Sequence, residues 1–276
     1  MEHRSIITLL TDFGTQDYFV AAMKGVILSR NPHAQIVDIT HEIPPQNIRA
    51  GAFNLLAAYR DFPAGTIHLA VVDPGVGSDR RAIVMQCAGQ FLVAPDNGLL
   101  SWIAQKEPKV SVYHVSDRTI FRKPVSNTFH GRDIFAPVAA AISTGTTPAE
   151  LGPLIDSIVQ LESLDPRESD DGRIEGTIIH IDHFGNCITN LTAEHVGSRG
   201  ANANLKLIVK ETLISSVRQF FSDRSGPDGE LFMLLGSAGF LEIAARNASA
   251  AAILNARSGQ SVALTGGSGR GKTAST

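Results

Sequence analysis

The sequence predicts an α/β protein whose amino-terminal, mainly parallel, Rossmann-like domain is followed by a smaller β-rich, barrel-like domain. Two observations carry this. Apolar strands alternate with helix-spaced segments through the first half, and short strand candidates follow one another with little helix beyond about residue 172. S-I-I-T-L-L-T (5–11) is an apolar run of strand length. Y-F-V-A-A-M-K-G-V-I-L-S-R (18–30) has helical apolar spacing, with Asp17 placed to cap it. Q-I-V-D-I-T, the helix-like I-R-A-G-A-F-N-L-L-A-A-Y-R and T-I-H-L-A-V-V-D complete repeated βαβ units, which need a parallel sheet. After the helix D-I-F-A-P-V-A-A-A-I, the charged segment L-E-S-L-D-P-R-E-S-D-D-G-R (161–173) reads as a linker. R-I-E-G-T-I-I-H-I-D, L-K-L-I-V and L-F-M-L-L-G are the strands of the second domain. The expected domains are therefore 1–165 and 172–265, with a flexible tail at 266–276 and no internal repeat.

Composition narrows the function classes. The chain has 276 residues, 43% hydrophobic and 18% charged, enough for one large core or two modest ones. A formal charge of −3, with Lys and Arg scattered, gives no basic footprint for nucleic acid. No apolar stretch reaches the ~18 residues of a membrane helix, and the opening M-E-H-R-S-I-I-T-L-L is too short for a signal peptide. Cys87 and Cys187 stand far apart in apolar settings and read as buried free thiols. A cytoplasmic protein is expected, without membrane or nucleic-acid partners.

G-G-S-G-R-G-K-T (266–273) matches the phosphate-binding P-loop pattern, but only A-S-T follows it. Such a loop works by aiming a helix amino terminus at the phosphates, so the match is rejected on context. His180, Asp182 and His183 lack further convincing ligands, and no metal is assigned.

Chemistry concentrates in loops that end strands or open helices, where open α/β sheets hold ligands. V-V-D-P-G-V-G-S-D-R-R (71–81) ends an apolar strand on Asp73, a carboxylate costly to bury unless paired. T-D-F-G-T-Q-D (11–17) offers Asp12 and Asp17, read either as acceptors for a vicinal diol such as a ribose or as a turn acid and a helix cap. N-T-F-H-G-R-D (127–133) puts His130 just before a helix, with Gly131 leaving space beside it; a lone loop histidine is also a common bystander. I-D-H-F-G-N-C-I-T-N (181–190) carries Asp182 for an amine, Phe184 for an aromatic face and Asn186 for a purine edge, or plain turn chemistry. G-S-A-G-F-L-E-I-A-A-R-N-A (236–248) adds Ser237 and small residues suited to a carboxylate, or a glycine turn between strands.

Taken in order, T-D-F-G-T-Q-D, V-V-D-P-G-V-G-S-D-R-R, P-D-N-G-L-L, T-F-H-G-R-D, I-D-H-F-G-N and G-S-A-G-F-L-E-I-A closely resemble the S-adenosyl-L-methionine hydroxide adenosyltransferases, the DUF62 family, relatives of fluorinase and chlorinase. The resemblance runs from about residue 5 to 262. It implies hydrolysis of S-adenosyl-L-methionine to adenosine and methionine, with Asp73, Arg80 and His130 around the attacking water and no cofactor or metal. It also implies Asp12 on the ribose hydroxyls, Asp17 and Asp182 at the methionine end, Asn186 and the backbone near Ala248 on adenine, and Ser237 on the amino-acid group. A homotrimer with sites at the subunit interfaces follows from the same likeness. Halogenase and non-catalytic sensor are the rivals. The fluorinating relatives show Tyr, Tyr and Ser where this chain has Asp73, His130 and Gly131, and the serine that donates to halide is missing. They also place Trp where this chain has Ile188.

Overall fold

The computed structural model describes residues 5–197, 205–222 and 226–266. The tail expected at 266–276, with its P-loop-like sequence, lies outside the described residues apart from Gly266. The chain divides into two compact units, Met1–Glu162 and Ser163–Thr276.

The first unit is built on a seven-stranded sheet in the order β2-β1-β3-β5-β4-β6-β7. Its strands are β1 (Ile6–Thr11), β2 (Gln35–Thr40), β3 (Ile67–Val71), β4 (Ala82–Cys87), β5 (Gln90–Pro95), β6 (Ser111–His114) and β7 (Leu154–Ile155). Helices α1 (Phe19–Arg30), α2 (Ile48–Ala58), α3 (Ser101–Lys106), α4 (Ala136–Ser143) and α5 (Pro148–Leu151) complete it. β1 pairs in parallel with β2 and β3, and β3 with β5. Helices cover this parallel half, so β3 is buried at every position, as its apolar sequence requires. Leu9, Ile27, Leu69, Val84 and Phe135 form the centre of its core.

An antiparallel half extends the sheet, since β4 runs against both β5 and β6, and β6 against β7. The β4–β5 hairpin turns on Ala88 and Gly89, both left-handed at φ 50° and 73°. That is the twist a two-residue hairpin needs, achieved with an alanine that carries no turn signal. Because β5 lies between β3 and β4, the loop from Asp73 to Arg81 crosses the sheet at the carboxyl ends of β3 and β5.

The expected cap at Asp17 is not made. Helix α1 starts at Phe19 behind Tyr18, with no side-chain capping bond, and Asp17 stays exposed.

The second unit comprises β8 (Arg167–Glu168), β9 (Ile174–Ile181), β10 (Cys187–Thr192), β11 (Lys206–Val209), β12 (Thr212–Ile214), β13 (Leu231–Leu235), β14 (Phe240–Ala245) and β15 (Ser261–Thr265), with short helices α6 (Ala193–Gly197) and α7 (Ala250–Ile253). The named strands pair antiparallel in the order β12-β11-β15-β9-β10-β14-β13, with β8 on β9. After β12, the backbone of Ser216 and Arg218 bonds to Met233 of β13 at 2.8 Å, which nearly closes the sheet into a barrel. Ile178, Cys187, Leu207, Val209, Met233, Ile243 and Leu264 fill its interior.

From Ser163 onward, the segment read as a linker belongs to this unit. Leu164 is buried and its carbonyl accepts from Asn190 Nδ2 at 3.0 Å, while Arg167 and Glu168 pair with β9. One anchoring leucine and a two-residue strand suffice to order an otherwise charged stretch.

Candidate active site

In the first unit, the Asp73–Arg81 loop places two adjacent arginines on different tasks. Arg80 turns back along the loop: its Nε donates to Asp73 Oδ1 at 2.7 Å and one terminal nitrogen donates to Asp73 Oδ2. The same nitrogen lies 2.8 Å from His130 Nδ1. The guanidinium also lies over the Phe135 ring, 5.1 Å from its centroid. Arg81 instead pairs with Asp96, which accepts from its Nε at 2.8 Å. Asp96 also accepts from Val159 N, and neighbouring Asn97 Nδ2 donates to the Val72 carbonyl at 2.8 Å. The P-D-N-G stretch is thereby explained as the brace of the crossing loop.

A guanidinium has no acceptor, so the nitrogen of His130 that faces Arg80 carries no proton. The imidazole is therefore neutral, with its hydrogen on Nε2. Burial and then the neighbouring charge of Arg80 both push its pKa below the usual value, favouring the same form.

The His130 loop is pinned from two sides. At Gly77, φ +82°, a Cβ would lie 2.6 Å from the Asn127 carbonyl, so only glycine lets the two loops approach this closely. Asp133, fully buried, accepts from Ser126 N at 2.8 Å and from Arg132 Nε at 2.7 Å. Burial opposes its ionisation, but these bonds hold its carboxyl below the usual range. His130 leads into a π-helical turn over Gly131–Phe135 that continues as α4. Gly131 does not leave the open space expected of it, since a Cβ there would meet Met23 Sδ at 3.1 Å and the Phe129 and Phe13 rings at 3.3 Å.

Phe13 ties the Asp12 loop into the same group, with Phe19 and Phe129 each 5.9 Å away, centroid to centroid. Asp12 Oδ2 accepts from Gln46 N at 2.8 Å. Beneath it, buried His41 joins Thr11 Oγ1 at 2.8 Å and Asp38 Oδ1 at 3.1 Å, and Lys24 closes the chain on Asp38. Asp17 is exposed and makes no hydrogen bond among the described residues.

The remaining candidates belong to the second unit. Asp182 Oδ1 accepts from Phe184 N and Asn186 N at 2.9 and 2.8 Å, and its Oδ2 accepts from Asn186 Nδ2 at 2.8 Å. This turn packs on the segment after β14: Ala251 N donates to the Gly185 carbonyl at 2.9 Å, and a Cβ on Gly185 would overlap Ser249. Asn186 and the Ala248 backbone are thus brought to one end of the barrel. Ser237 is exposed in the turn Gly236–Gly239. The sequence reading gave no role to Glu242, which the structure buries beneath that turn. A carboxylate inside the apolar run F-L-E-I-A was the available signal.

Fold and loop geometry define an α/β unit with a partly buried Asp–Arg–His group, and a small barrel whose loops carry polar side chains. The model for the SAM hydroxide adenosyltransferase N-terminal domain matches residues 7–152, and that for its C-terminal domain matches residues 176–263. The chain belongs to this family. A protein of Methanocaldococcus jannaschii named (R)-S-adenosyl-L-methionine hydrolase is 37% identical over 263 residues, covering 91% of this chain and 92% of that one. A fluorinase of Actinopolyspora mzabensis is 28% identical over 292 residues, covering 95% and 97%. The crystal structure of an uncharacterized conserved protein from Thermotoga maritima superimposes with a TM-score of 0.86 at 36% identity, covering 94% and 99%.

The Asp73–Arg80 pair has a stability consequence. The two side chains are 4% and 10% exposed, so Arg80→Met strands a buried carboxylate and should cost about 3–5 kcal/mol in denaturant unfolding. Adding Asp73→Asn should restore much of that loss. A double variant no more stable than Arg80→Met would show that the pair is not the reason.

Proposed function

We propose that the protein hydrolyses S-adenosyl-L-methionine to adenosine and L-methionine, by attack of water on the ribose 5′ carbon. The observation that carries this reading is the Asp73–Arg80–His130 group, built from two loops and closed by one guanidinium. The hydrolase name of the relatives that match most of the chain supports it. The sulfonium makes methionine a neutral leaving group, so the residues need only align the nucleophile and accept one proton. In this reading no metal or resident cofactor takes part.

The roles follow from protonation. His130, neutral with its hydrogen on Nε2, donates to the water oxygen and orients it. Asp73 keeps lone pairs beyond those that Arg80 occupies and takes the proton as the new carbon–oxygen bond forms. Asp12 holds the ribose hydroxyls with the oxygen that Gln46 does not use. Asn186 and the backbone near Ala248 take adenine, while Asp182, Ser237 and Asp17 meet the methionine end. Water is favoured over halide because Asp73 would repel a second anion and the chain offers glycine, not a hydroxyl, at 131.

Products separated by chromatography test this reading, with the R and S sulfonium epimers supplied separately because the relatives' name specifies R. Adenosine and methionine are expected in equal amounts; 5′-haloadenosine in the presence of chloride or fluoride would place the protein with the halogenases instead. Asp73→Asn should cut kcat by at least about a hundredfold with little change in KM, and Asp12→Ala should mainly raise KM. Similar changes in both would refute the division of roles.

The pH profile carries a sign. Because the His130 pKa is lowered and the neutral form is the working one, kcat/KM should persist below pH 6.5 and fall only as pH drops through that lower value. An acid limb at or above 6.5 contradicts a neutral His130.

Two further parts complete the reading. The protein works as a homotrimer in which the first unit of one protomer and the second of its neighbour share a ligand. Supporting this, Phe184, Val217, Phe220, Phe221 and Leu235 of the second unit are exposed apolar side chains. A monomer in light scattering that keeps full activity would exclude the shared site. We also place it in the cytoplasm. Cys87 and Cys187 are buried free thiols, pushed by burial up to about 12 and about 11 and so unreactive. No helix among the described residues is long and apolar enough to cross a membrane.

A further inference from the structure

Glu242 is a buried acid without a partner among the described residues. It sits on β14 between Ile188 of β10 and Leu234 of β13, so both lateral neighbours are apolar. The residue is 9% exposed, and its carboxylate makes no hydrogen bond or ion pair among the described residues. Burial, and then the negative charge of Asp182, hold its carboxyl above the usual range. A structural role would have been met by leucine or glutamine at lower cost, because an unpaired buried carboxyl contributes nothing to a core.

Its position says what it waits for. A Cβ on Gly236 would overlap Glu242 Oε1, so the turn that carries Ser237 rests directly on this carboxylate. Gly236 lacks a left-handed φ, and the glycine is needed for the approach alone. On the other side, Glu242 pairs across the sheet with Ile188, two residues beyond Asn186, whose carbonyl accepts from Asp182 N to close the neighbouring turn. Glu242 therefore lies between the two turns, Asp182–Asn186 and Gly236–Gly239, whose side chains are assigned to the amino-acid end of the ligand. Three of the acceptor positions on Asp182 are already taken by Phe184 and Asn186. An ammonium group brings three donors, more than Asp182 has room to receive well.

We propose that Glu242 and Asp182 form a two-carboxylate cation subsite that takes the α-ammonium of the substrate. A cation placed between them removes their mutual repulsion and gives Glu242 the partner it lacks. Glu242 is then a binding residue that discriminates for amino-acid-bearing ligands, and it takes no part in the chemical step. The inference rests on S-adenosyl-L-methionine as substrate.

Glu242→Gln, which keeps the shape and removes the charge, tests it. With S-adenosyl-L-methionine the variant should show KM raised by about tenfold or more and kcat within about twofold of the parent. Calorimetric affinity for 5′-methylthioadenosine, which lacks the ammonium, should change by less than about twofold, and Glu242→Asp should recover part of the lost KM. Its Tm should equal or exceed the parent's, since the unpaired acid stabilises nothing. Unchanged KM for S-adenosyl-L-methionine, or an equal loss for methylthioadenosine, would overturn the subsite while leaving the substrate assignment standing. A parent protein that neither binds nor turns over S-adenosyl-L-methionine would remove the substrate assignment and the subsite together.

Discussion

One guanidinium holds two neighbours of opposite chemical character. By donating to Asp73 on one side and to His130 on the other, Arg80 pairs with the carboxylate and favours a neutral imidazole where a nearby carboxylate would favour a cation. Much of the first unit serves to hold that side chain. Arg81 and Asp96 clamp the next residue, Asn97 holds the end of β3, Phe135 supplies a ring beneath the guanidinium, and Gly77 lets the His130 loop come into range. Replacing Arg80 by lysine would keep the charge but lose the planar fork that reaches both partners.

This arrangement suits attack by water on a carbon that bears a cationic leaving group. Little acid catalysis is needed, and an anionic carboxylate beside the nucleophile favours the loss of its proton while excluding halide. The division between units follows the same economy of charge. In the proposed reading, the first unit carries the groups that handle water. In the second, carboxylates and an amide suit the ammonium and the base, the parts of the ligand that do not react.

The parallel β/α pattern was readable from the sequence because buried parallel strands are continuous apolar runs and their crossover helices repeat at 3.6-residue spacing. The antiparallel extension was not, for its hairpin turns on Ala88-Gly89 and its last strand has two residues. Asp73, Arg80 and His130 were nominated through ordered motifs, yet their mutual contact depends on a loop that crosses a strand coming later in the chain, which spacing cannot encode. Asp17 misled as a helix cap because α1 begins one residue later than the apolar pattern suggests. Gly131 reads in the sequence as leaving open space, whereas the space beside it is filled by Met23, Phe13 and Phe129. A single acid in an apolar run, as Glu242 is, reads as the solvent face of a strand. Only the turn folded over it shows otherwise.

The central claim is that Asp73, Arg80 and His130 deliver a water oxygen to the ribose 5′ carbon. Turnover in oxygen-18 water, followed by mass spectrometry of both products, tests it most directly. One heavy oxygen in the 5′ hydroxyl of adenosine and none in methionine is the predicted result. Unlabelled adenosine, or methylthioadenosine with homoserine in place of adenosine and methionine, would show that the bond broken or the oxygen delivered is a different one.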